Sequence, residues 1–188
     1  MRIIRVEHGG TSYYGILEDG LVFRLHQQPG HMEPIPLSEA KVLPLVTPSK
    51  VVCVGLNYKA HAEELGYPLP NMPSFFLKPP SSIIGNGEPI VLPSGMGRIE
   101  HEAELAMVVG KVCRNLTPEE AEESLFGFTC ANDVTAREVQ KVDPLIGHCK
   151  SYDTFCPIGP WIETELEDIN DLSIRCLVNG VNPRIPGT

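Results

Sequence analysis

Two glutamates that are two residues apart, Glu102 and Glu104, lie in a run from Arg98 to Gly110 that changes from acidic to apolar residues. We predict that this run is one strand ending at the glycine. Successive side chains of a strand point to opposite faces, so the two carboxylates share one face with Cβ atoms about 6.5 Å apart. Their like charges raise each other's pKa unless a hard divalent cation, which takes oxygen ligands at about 2.0–2.6 Å, keeps both ionised.

A third carboxylate, Asp133, follows the apolar run 127–131 and opens the polar cluster Asp133-Val134-Thr135-Ala136-Arg137. Three acidic side chains would then face one site, an arrangement suited to Mg²⁺, Mn²⁺ or Ca²⁺. Taken alone, alternating glutamates are more often a solvated strand face. Glu100 also shares the Glu102 face, and we place it at the rim of the predicted site.

An acid–base pair is the second candidate chemistry. Residues 57–65 have helical character and are stopped by Gly66 and Pro68. On a helix His61 and Glu64 are neighbours, so Glu64 can orient the imidazole and stabilise its protonated form. The alternative is an ordinary surface pair one helical turn apart.

The order and spacing of several motifs resemble the fumarylacetoacetate hydrolase family. The motifs are His-Glu-Ala-Glu-Leu at 101–105, Asn-Asp-Val-Thr-Ala-Arg at 132–137, the run Lys-Ser-Tyr-Asp-Thr-Phe-Cys-Pro-Ile-Gly-Pro at 150–160, and the upstream stretches 55–64 and 75–79. The resemblance covers about residues 45 to 180. It implies a metal site of Glu102, Glu104 and Asp133.

The resemblance also implies roles for the remaining polar residues. His61 and Glu64 would be the acid–base dyad, on a short helix that orders over bound substrate. The equivalents of Arg137, Gln140 and Lys150 contact substrate oxygens in relatives, and Arg and Lys suit a carboxylate or an enolate. Among these, Lys150 would act in catalysis by stabilising negative charge. Lys78 would lie near the site as a substrate-binding residue. His148 stands where a small or apolar residue is expected, and we assign it no role.

The reaction implied is hydrolysis of a carbon–carbon bond in an acylpyruvate-like 2,4-dioxo acid, through an enolate that a divalent metal stabilises. Isomerisation of a 2-hydroxy-dienoate dicarboxylate, or decarboxylation of such a compound or of oxaloacetate, uses the same enolate and is an alternative. A third possibility, from another class, is a catalytically impaired fragment that works as an interaction partner.

The fold implied is α+β and predominantly β, a mixed β-roll of stacked sheets with short helices. Residues 1–46 are expected to form a small antiparallel β domain and a linker, and residues 47–188 the catalytic domain. Three local signals are independent of the resemblance: a hairpin turn at Asp19-Gly20, a buried strand at 51–55, and a helix start at Thr117 with a capping box to Glu120.

The end of the chain departs from the family. Residues 172–178 alternate as a strand should and are followed by a turn at Asn179-Gly180, but almost no return strand remains. The family continues through further strands. We therefore expect a truncated form of a longer chain, or a sheet completed by a second chain in a homodimer.

Composition excludes several function classes. The net charge is −9 and the pI is about 5.1, with scattered Lys and Arg, which argues against binding to nucleic acid. No apolar run reaches the roughly 18–20 residues that cross a bilayer, and the N-terminus carries charge too early for a signal peptide. Six widely spaced cysteines indicate free thiols. A cytoplasmic enzyme acting on a small anionic 2-oxo acid is expected.

Overall fold

The computed structural model describes residues 1–25, 33–64, 66, 68–166, 168–169 and 171–181, without the side chains of residues 60, 61 and 64. Thirteen strands lie in this part of the chain: β1 Arg2–His8, β2 Thr11–Glu18, β3 Leu21–Arg24, β4 Ile35–Pro36, β5 Lys41–Val42, β6 Val51–Gly55, β7 Ser74–Lys78, β8 Ile83–Ile84, β9 Ile99–Glu100, β10 Ala103–Val109, β11 Leu125–Asn132, β12 Thr135–Ala136 and β13 Cys156–Glu163. The α-helices described are α1 Lys59–Glu64, α2 Pro118–Glu123, α3 Arg137–Val142 and α4 Ile146–Lys150.

Most strands belong to one nine-stranded sheet in the order β10-β11-β13-β1-β2-β3-β4, with β5 beside β1 and β8 beside β13. Two small antiparallel sheets, β6–β7 and β9–β12, complete the described structure. The prediction of a mainly β fold with few, short helices is confirmed.

The N-terminal strands continue into the large sheet, because β1 pairs with β13 through Ile3 and Ile162. The hairpin predicted at Asp19-Gly20 joins β2 to β3, and both turn residues have positive φ, +47° and +78°. Such angles suit Asp and Gly in a two-residue loop, whose twist matches the flanking strands. The turn signal therefore predicted this hairpin correctly.

Helix α2 begins as the sequence predicts. The Thr117 hydroxyl accepts a hydrogen bond from the Glu120 N–H at 3.3 Å, and the Glu120 carboxylate accepts one from the Thr117 N–H at 2.8 Å. Each side chain satisfies an amide that the first helical turn leaves without a partner.

The prediction that 51–55 is a buried strand is wrong in one respect. The residues form β6, but Val52 and Val54 are 55% and 37% exposed. Strand β6 pairs with β7 in a sheet of two strands, and no described element covers its outer face. The facing partners Leu77 and Phe75 are exposed as well. A continuous apolar run therefore did not mean burial on both faces.

The strand predicted at 172–178 is also absent from the described structure. The turn at Asn179-Gly180 forms, with a single bridge between Val178 and Val181, but no described strand pairs with residues 172–177. An alternating pattern yields a strand only where a partner satisfies its backbone groups. Residues 173–177 instead line a cavity of about 390 Å³, together with the turn at 85–88 and parts of β10, β11 and β13. Within the described residues, no helix has the length and apolar character to cross a membrane.

Candidate active site

The predicted strand 98–110 is divided into β9 and β10, so its prediction as one strand is wrong at residues 101 and 102. Strand β9 pairs with β12, whereas β10 pairs with β11. At the change of partner, the Glu102 N–H donates to the Asn132 side-chain oxygen at 3.0 Å, and the Asp133 N–H donates to the Glu102 carbonyl at 2.9 Å. The break thereby fixes Glu102 beside Asp133.

Asp133 lies between two buried lysines. Lys78 Nζ donates to Asp133 Oδ1 at 2.5 Å, and Lys150 Nζ donates to Oδ2 at 2.5 Å. The exposed fractions of Lys78, Lys150 and Asp133 are 1%, 4% and 9%. Buried charges are tolerated when they are paired and hydrogen-bonded, as all three are here.

Lys150 is the central cation of the site. Its ammonium group also donates to Glu102 Oε2 at 2.6 Å and to Thr135 Oγ1 at 2.9 Å, and it lies 5.3 Å from the Phe76 ring centroid. Burial by itself would lower the pKa of Lys150, but the charges of Asp133 and Glu102 outweigh it and raise that pKa. Lys150 is therefore a fixed positive charge and not a nucleophile.

Arg137, on the first turn of α3, organises the other side of Glu102. Its Nε donates to Glu100 at 2.5 Å, one terminal nitrogen donates to Glu102 Oε1 at 2.6 Å, and the other donates to Gln140 Oε1 at 2.8 Å. Burial opposes ionisation of Glu102, but Lys150 and Arg137 hold its pKa below the ordinary value. Glu100, expected at the rim, is part of this network. Substrate contacts of Arg137 and Gln140 stay a prediction.

Glu104 is the third carboxylate, and its electrostatic environment differs from that of Glu102. Burial is the main cause that raises the pKa of Glu104 to about 7. The charges of Glu102 and Asp133 raise it further, against a hydrogen bond from the Tyr58 hydroxyl and the charge of Lys150, both of which lower it. The three predicted carboxylates therefore influence one another, and the negative charge of Glu104 is the least compensated by nearby positive charges.

Helix α1 begins next to this cluster. Tyr58 immediately precedes the helix, accepts a hydrogen bond from the Leu105 N–H at 3.2 Å and receives the Ala62 N–H on its carbonyl at 3.1 Å. Ala62 is fully buried. The side chains of His61 and Glu64 lie outside the described residues, so the acid–base dyad stays a prediction.

Among the residues whose side chains are described, no group of three or more His, Cys, Asp or Glu is arranged to hold a metal ion. The reason is visible in the geometry, since the Lys150 ammonium bridges Glu102 and Asp133. The donor set nevertheless fits a divalent cation chemically. Three carboxylates offer hard oxygen ligands, and the charges of Glu102 and Asp133 add to the burial that raises the pKa of Glu104.

Thiol chemistry is disfavoured at this site. Cys53, Cys113, Cys130, Cys149 and Cys156 are free thiols, as the sequence predicts. Burial raises the pKa of Cys53 to about 12, and it also raises the pKa values of Cys149 and Cys156. Because the thiolate is the reactive form, these three thiols are poor nucleophiles.

Two residues of the site were missed by the sequence analysis, Tyr58 and Thr135. Both lie inside motifs that carry the resemblance, next to helix α1 and next to Asp133. A Tyr or Thr in such a motif has no spacing signal of its own, because its partners Glu104 and Lys150 are distant in sequence.

The fold and these residues define a protein of the fumarylacetoacetate hydrolase family, to which the chain belongs. The family described as "Fumarylacetoacetate (FAA) hydrolase C-terminal" matches residues 50–184, and "Rv2993c-like, N-terminal" matches residues 1–44. The first match includes every predicted site residue.

Relatives and solved structures agree with this family. An uncharacterized protein of Archaeoglobus fulgidus is 46% identical over 146 residues, 78% of this chain and 58% of its own length. The mitochondrial oxaloacetate tautomerase fahd2 of Xenopus laevis is 41% identical over 143 residues, 73% of this chain and 44% of its own. This chain thus spans little more than half the length of the first relative and less than half of the second.

Two crystal structures of proteins with a similar fold also support the family assignment. The 5-carboxymethyl-2-hydroxymuconate delta-isomerase of Mycobacterium smegmatis is 39% identical with a TM-score of 0.79, over 89% of this chain and 67% of that one. The maleylpyruvate hydrolase of Sphingobium sp. SYK-6, in complex with manganese(II) and pyruvate, is 29% identical with a TM-score of 0.68, over 89% of this chain and 69% of that one.

Proposed function

We propose that this chain is a divalent-metal-dependent hydrolase that cleaves a carbon–carbon bond in an acylpyruvate-like 2,4-dioxo acid. The observation that carries the proposal is that Glu102 and Asp133 share the buried Lys150 ammonium group, while Glu104 lies near enough for the charges of both carboxylates to act on its pKa. Support comes from the maleylpyruvate hydrolase, whose structure contains manganese(II) and pyruvate, the 2-oxo acid at the core of such substrates. Mg²⁺, Mn²⁺ or Ca²⁺ is the expected cofactor.

The three carboxylates would hold the cation, which supplies Lewis-acid polarisation of a carbonyl oxygen when bound. Lys150 would stabilise the negative charge that develops on substrate oxygens, a task suited to its raised pKa. Lys78 would keep Asp133 oriented from its buried position. Arg137, held by Glu100 and Gln140, would fix the orientation of Glu102.

His61, oriented by Glu64, would move the proton to or from water and the substrate carbon. The position of α1 supports this role, because Tyr58 anchors the start of that helix to the backbone of β10 beside Glu104. A candidate general base must come within hydrogen-bond reach of the proton it takes. Ordering of α1 over bound substrate would achieve that.

A second reaction class is favoured by the names of relatives. The names oxaloacetate tautomerase and 5-carboxymethyl-2-hydroxymuconate delta-isomerase denote rearrangements that break no carbon–carbon bond. Isomerisation or tautomerisation of a dicarboxylic 2-oxo acid such as oxaloacetate is therefore the alternative. Decarboxylation of oxaloacetate belongs to the same group.

The deciding experiment incubates the purified chain with acetylpyruvate, with enol oxaloacetate and with a 2-hydroxy-dienoate dicarboxylate, each with and without Mg²⁺ or Mn²⁺. Metal-dependent release of acetate and pyruvate supports the hydrolase proposal. Metal-dependent loss of enol absorbance without cleavage supports the isomerase alternative. No turnover, and no binding of metal or of oxalate as an enolate mimic, would overturn both and leave the interaction role.

We further propose that the chain forms a homodimer through the outer face of the β6–β7 sheet. Val52 faces Leu77 and Val54 faces Phe75 across the strands, and all four side chains are exposed. Contiguous apolar surface of this kind marks interaction sites. Light scattering should give a dimer for the wild type and a monomer for Phe75→Asp. The matched control is Val112→Asp, an exposed apolar residue elsewhere. A wild-type monomer, or a Phe75→Asp dimer, would refute this interface.

A further inference from the structure

Three side chains outside the proposed chemistry form a hydrogen-bonded chain beside Lys150. Asp143 Oδ2 lies 2.6 Å from His148 Nδ1, and the Tyr152 hydroxyl lies 3.2 Å from His148 Nε2. A carboxylate only accepts when ionised, so Nδ1 carries a proton. In the neutral imidazole Nε2 then accepts from the tyrosine hydroxyl. A histidine whose side chain is 56% exposed thus has both ring nitrogens occupied.

The second oxygen of Asp143 supports helix α4 directly. Oδ1 accepts a hydrogen bond from the Leu145 N–H at 2.7 Å. Leu145 is the N-cap residue of α4 and offers no side-chain cap of its own. A helix of five residues is unstable without outside contacts, because nucleation is costly. Asp143 therefore holds the start of the helix whose last residue is Lys150.

Tyr152, the last of these three hydrogen-bonded side chains, contacts the segment next to Asp133. The Tyr152 ring packs edge-on against Phe155 with centroids 5.2 Å apart, and Phe155 is fully buried. The Phe155 carbonyl accepts the Val134 N–H at 3.2 Å, and the Phe155 N–H donates to the Tyr152 carbonyl at 3.1 Å. Tyr152 is therefore connected, through Phe155, to Val134, the residue next to Asp133.

A separate contact aligns the two lysines. The Ser151 hydroxyl donates to the Leu77 carbonyl at 3.2 Å, so the residue after Lys150 is bound to the residue before Lys78. Helix α4 is thus held at its start by Asp143 and after its end by Ser151 and Tyr152. Lys150 lies between these attachments.

We propose that Asp143, His148 and Tyr152 form a clasp, here called the α4 clasp, that positions Lys150 against Glu102 and Asp133. The three are positioning residues, since none of them contacts the carboxylate cluster. Exposed ion pairs usually contribute little to global stability. The clasp acts on the placement of one buried ammonium group more than on global stability. Its effect on turnover rests on the proposed function, whereas its effect on α4 does not.

Cys149 offers a direct measure of clasp function, because it lies between His148 and Lys150 and is fully buried with its thiol bonded to the Ile146 carbonyl. Iodoacetamide labelling of the whole chain, quantified by peptide mass spectrometry, reports opening of α4. Cys156, 3% exposed on β13, reports opening elsewhere. We expect Asp143→Ala to accelerate labelling of Cys149 about tenfold through the loss of two hydrogen bonds, with Cys156 unchanged.

Two further variants serve as controls for the labelling of Cys149. Asp143→Asn keeps an acceptor for the Leu145 N–H and should restore most of the protection. Lys141→Ala removes an exposed ion pair with Glu138 on the neighbouring helix and should leave Cys149 protected. Equal acceleration at Cys149 and Cys156, or no acceleration at Cys149, would overturn the clasp.

The activity readout comes second. With an active preparation, Asp143→Ala should lower kcat and leave KM nearly unchanged, because Lys150 would stabilise developing charge. A rise in KM alone would contradict positioning of Lys150. If the wild type shows no turnover on any of the substrates above, the proposed function fails while the labelling result still decides the clasp.

Discussion

Replacing Lys150 with methionine tests whether the buried ammonium group holds the carboxylates together. Lys150 donates three hydrogen bonds, at 2.5 Å to Asp133, 2.6 Å to Glu102 and 2.9 Å to Thr135. Removing one partner of a buried ion pair costs about 3–5 kcal/mol, because the remaining charge loses its compensation. Asp133 keeps Lys78 in the variant, so we expect the lower end, about 3 kcal/mol.

Urea unfolding followed by the fluorescence of the single tryptophan, Trp161, measures this loss. With an m-value of about 2 kcal/mol per molar, the midpoint should fall by about 1.5 M at pH 8. The folded-state pKa of Glu102 is lowered, so its stabilising contribution is present above its unfolded pKa and disappears as the pH falls through the folded value. The difference between Lys150→Met and wild type should therefore shrink towards pH 4.

The matched control is Lys141→Met, which removes an exposed ion pair with Glu138 and should change stability by less than about 0.5 kcal/mol. If Lys150→Met unfolds within 0.5 kcal/mol of wild type at pH 8, the ammonium group does not compensate the carboxylates. Mg²⁺ should restore more stability to Lys150→Met than to wild type, because a bound cation replaces the missing charge.

Three further outcomes are expected. His61→Ala should lower kcat by about 10²–10⁴-fold and leave metal affinity unchanged, and a loss under tenfold in an active preparation would remove His61 from proton transfer. The folded pKa of Glu104, about 7, lies above its ordinary value of 4.5, so its ionisation costs stability increasingly as the pH rises from 4.5 to 7. Urea unfolding in EDTA should therefore show that the stability of Glu104→Gln relative to wild type increases from pH 5 to pH 8. A difference in stability that does not change with pH would contradict the raised pKa of Glu104. Gly127→Ala should lower the free energy of unfolding by about 1–3 kcal/mol in the same assay. The added Cβ would lie 2.5 Å from the Glu163 carbonyl oxygen and 2.7 Å from the Ile162 side chain. Unchanged stability would show that β13 shifts to make room for it.

Local signals predicted the elements whose determinants lie within a few residues. The turn at Asp19-Gly20 and the capping box of Thr117 and Glu120 both form as expected. Glu102 also lies beside Asp133, as the acidic pattern and the resemblance both implied, although the strand that was predicted to carry Glu102 is broken there. The break at residues 101–102 depends on hydrogen bonds to residues 132 and 133, thirty residues away, which no local pattern encodes.

The predictions that failed concern contacts between distant segments. Apolar residues of β6 are exposed because no described element packs on that face of the β6–β7 sheet, and residues 172–177 have no described partner strand. Lys78 does lie near the site, as the resemblance implied, but its burial against Asp133, 55 residues further along the chain, was not predicted, and its contact with substrate stays a prediction. Whether a lysine is buried depends on a carboxylate that only the tertiary structure supplies.

Titration of the purified chain with Mn²⁺ by isothermal calorimetry, with Glu102→Gln and Glu138→Gln in parallel, tests whether Glu102, Glu104 and Asp133 hold a divalent cation. Glu138 is an exposed glutamate paired only with Lys141 among the described contacts, so its variant controls for lost surface charge. We expect one site in wild type and in Glu138→Gln, and affinity weakened at least tenfold in Glu102→Gln, since one carboxylate ligand is lost. Unchanged affinity in Glu102→Gln would show that the metal does not bind at Glu102, Glu104 and Asp133.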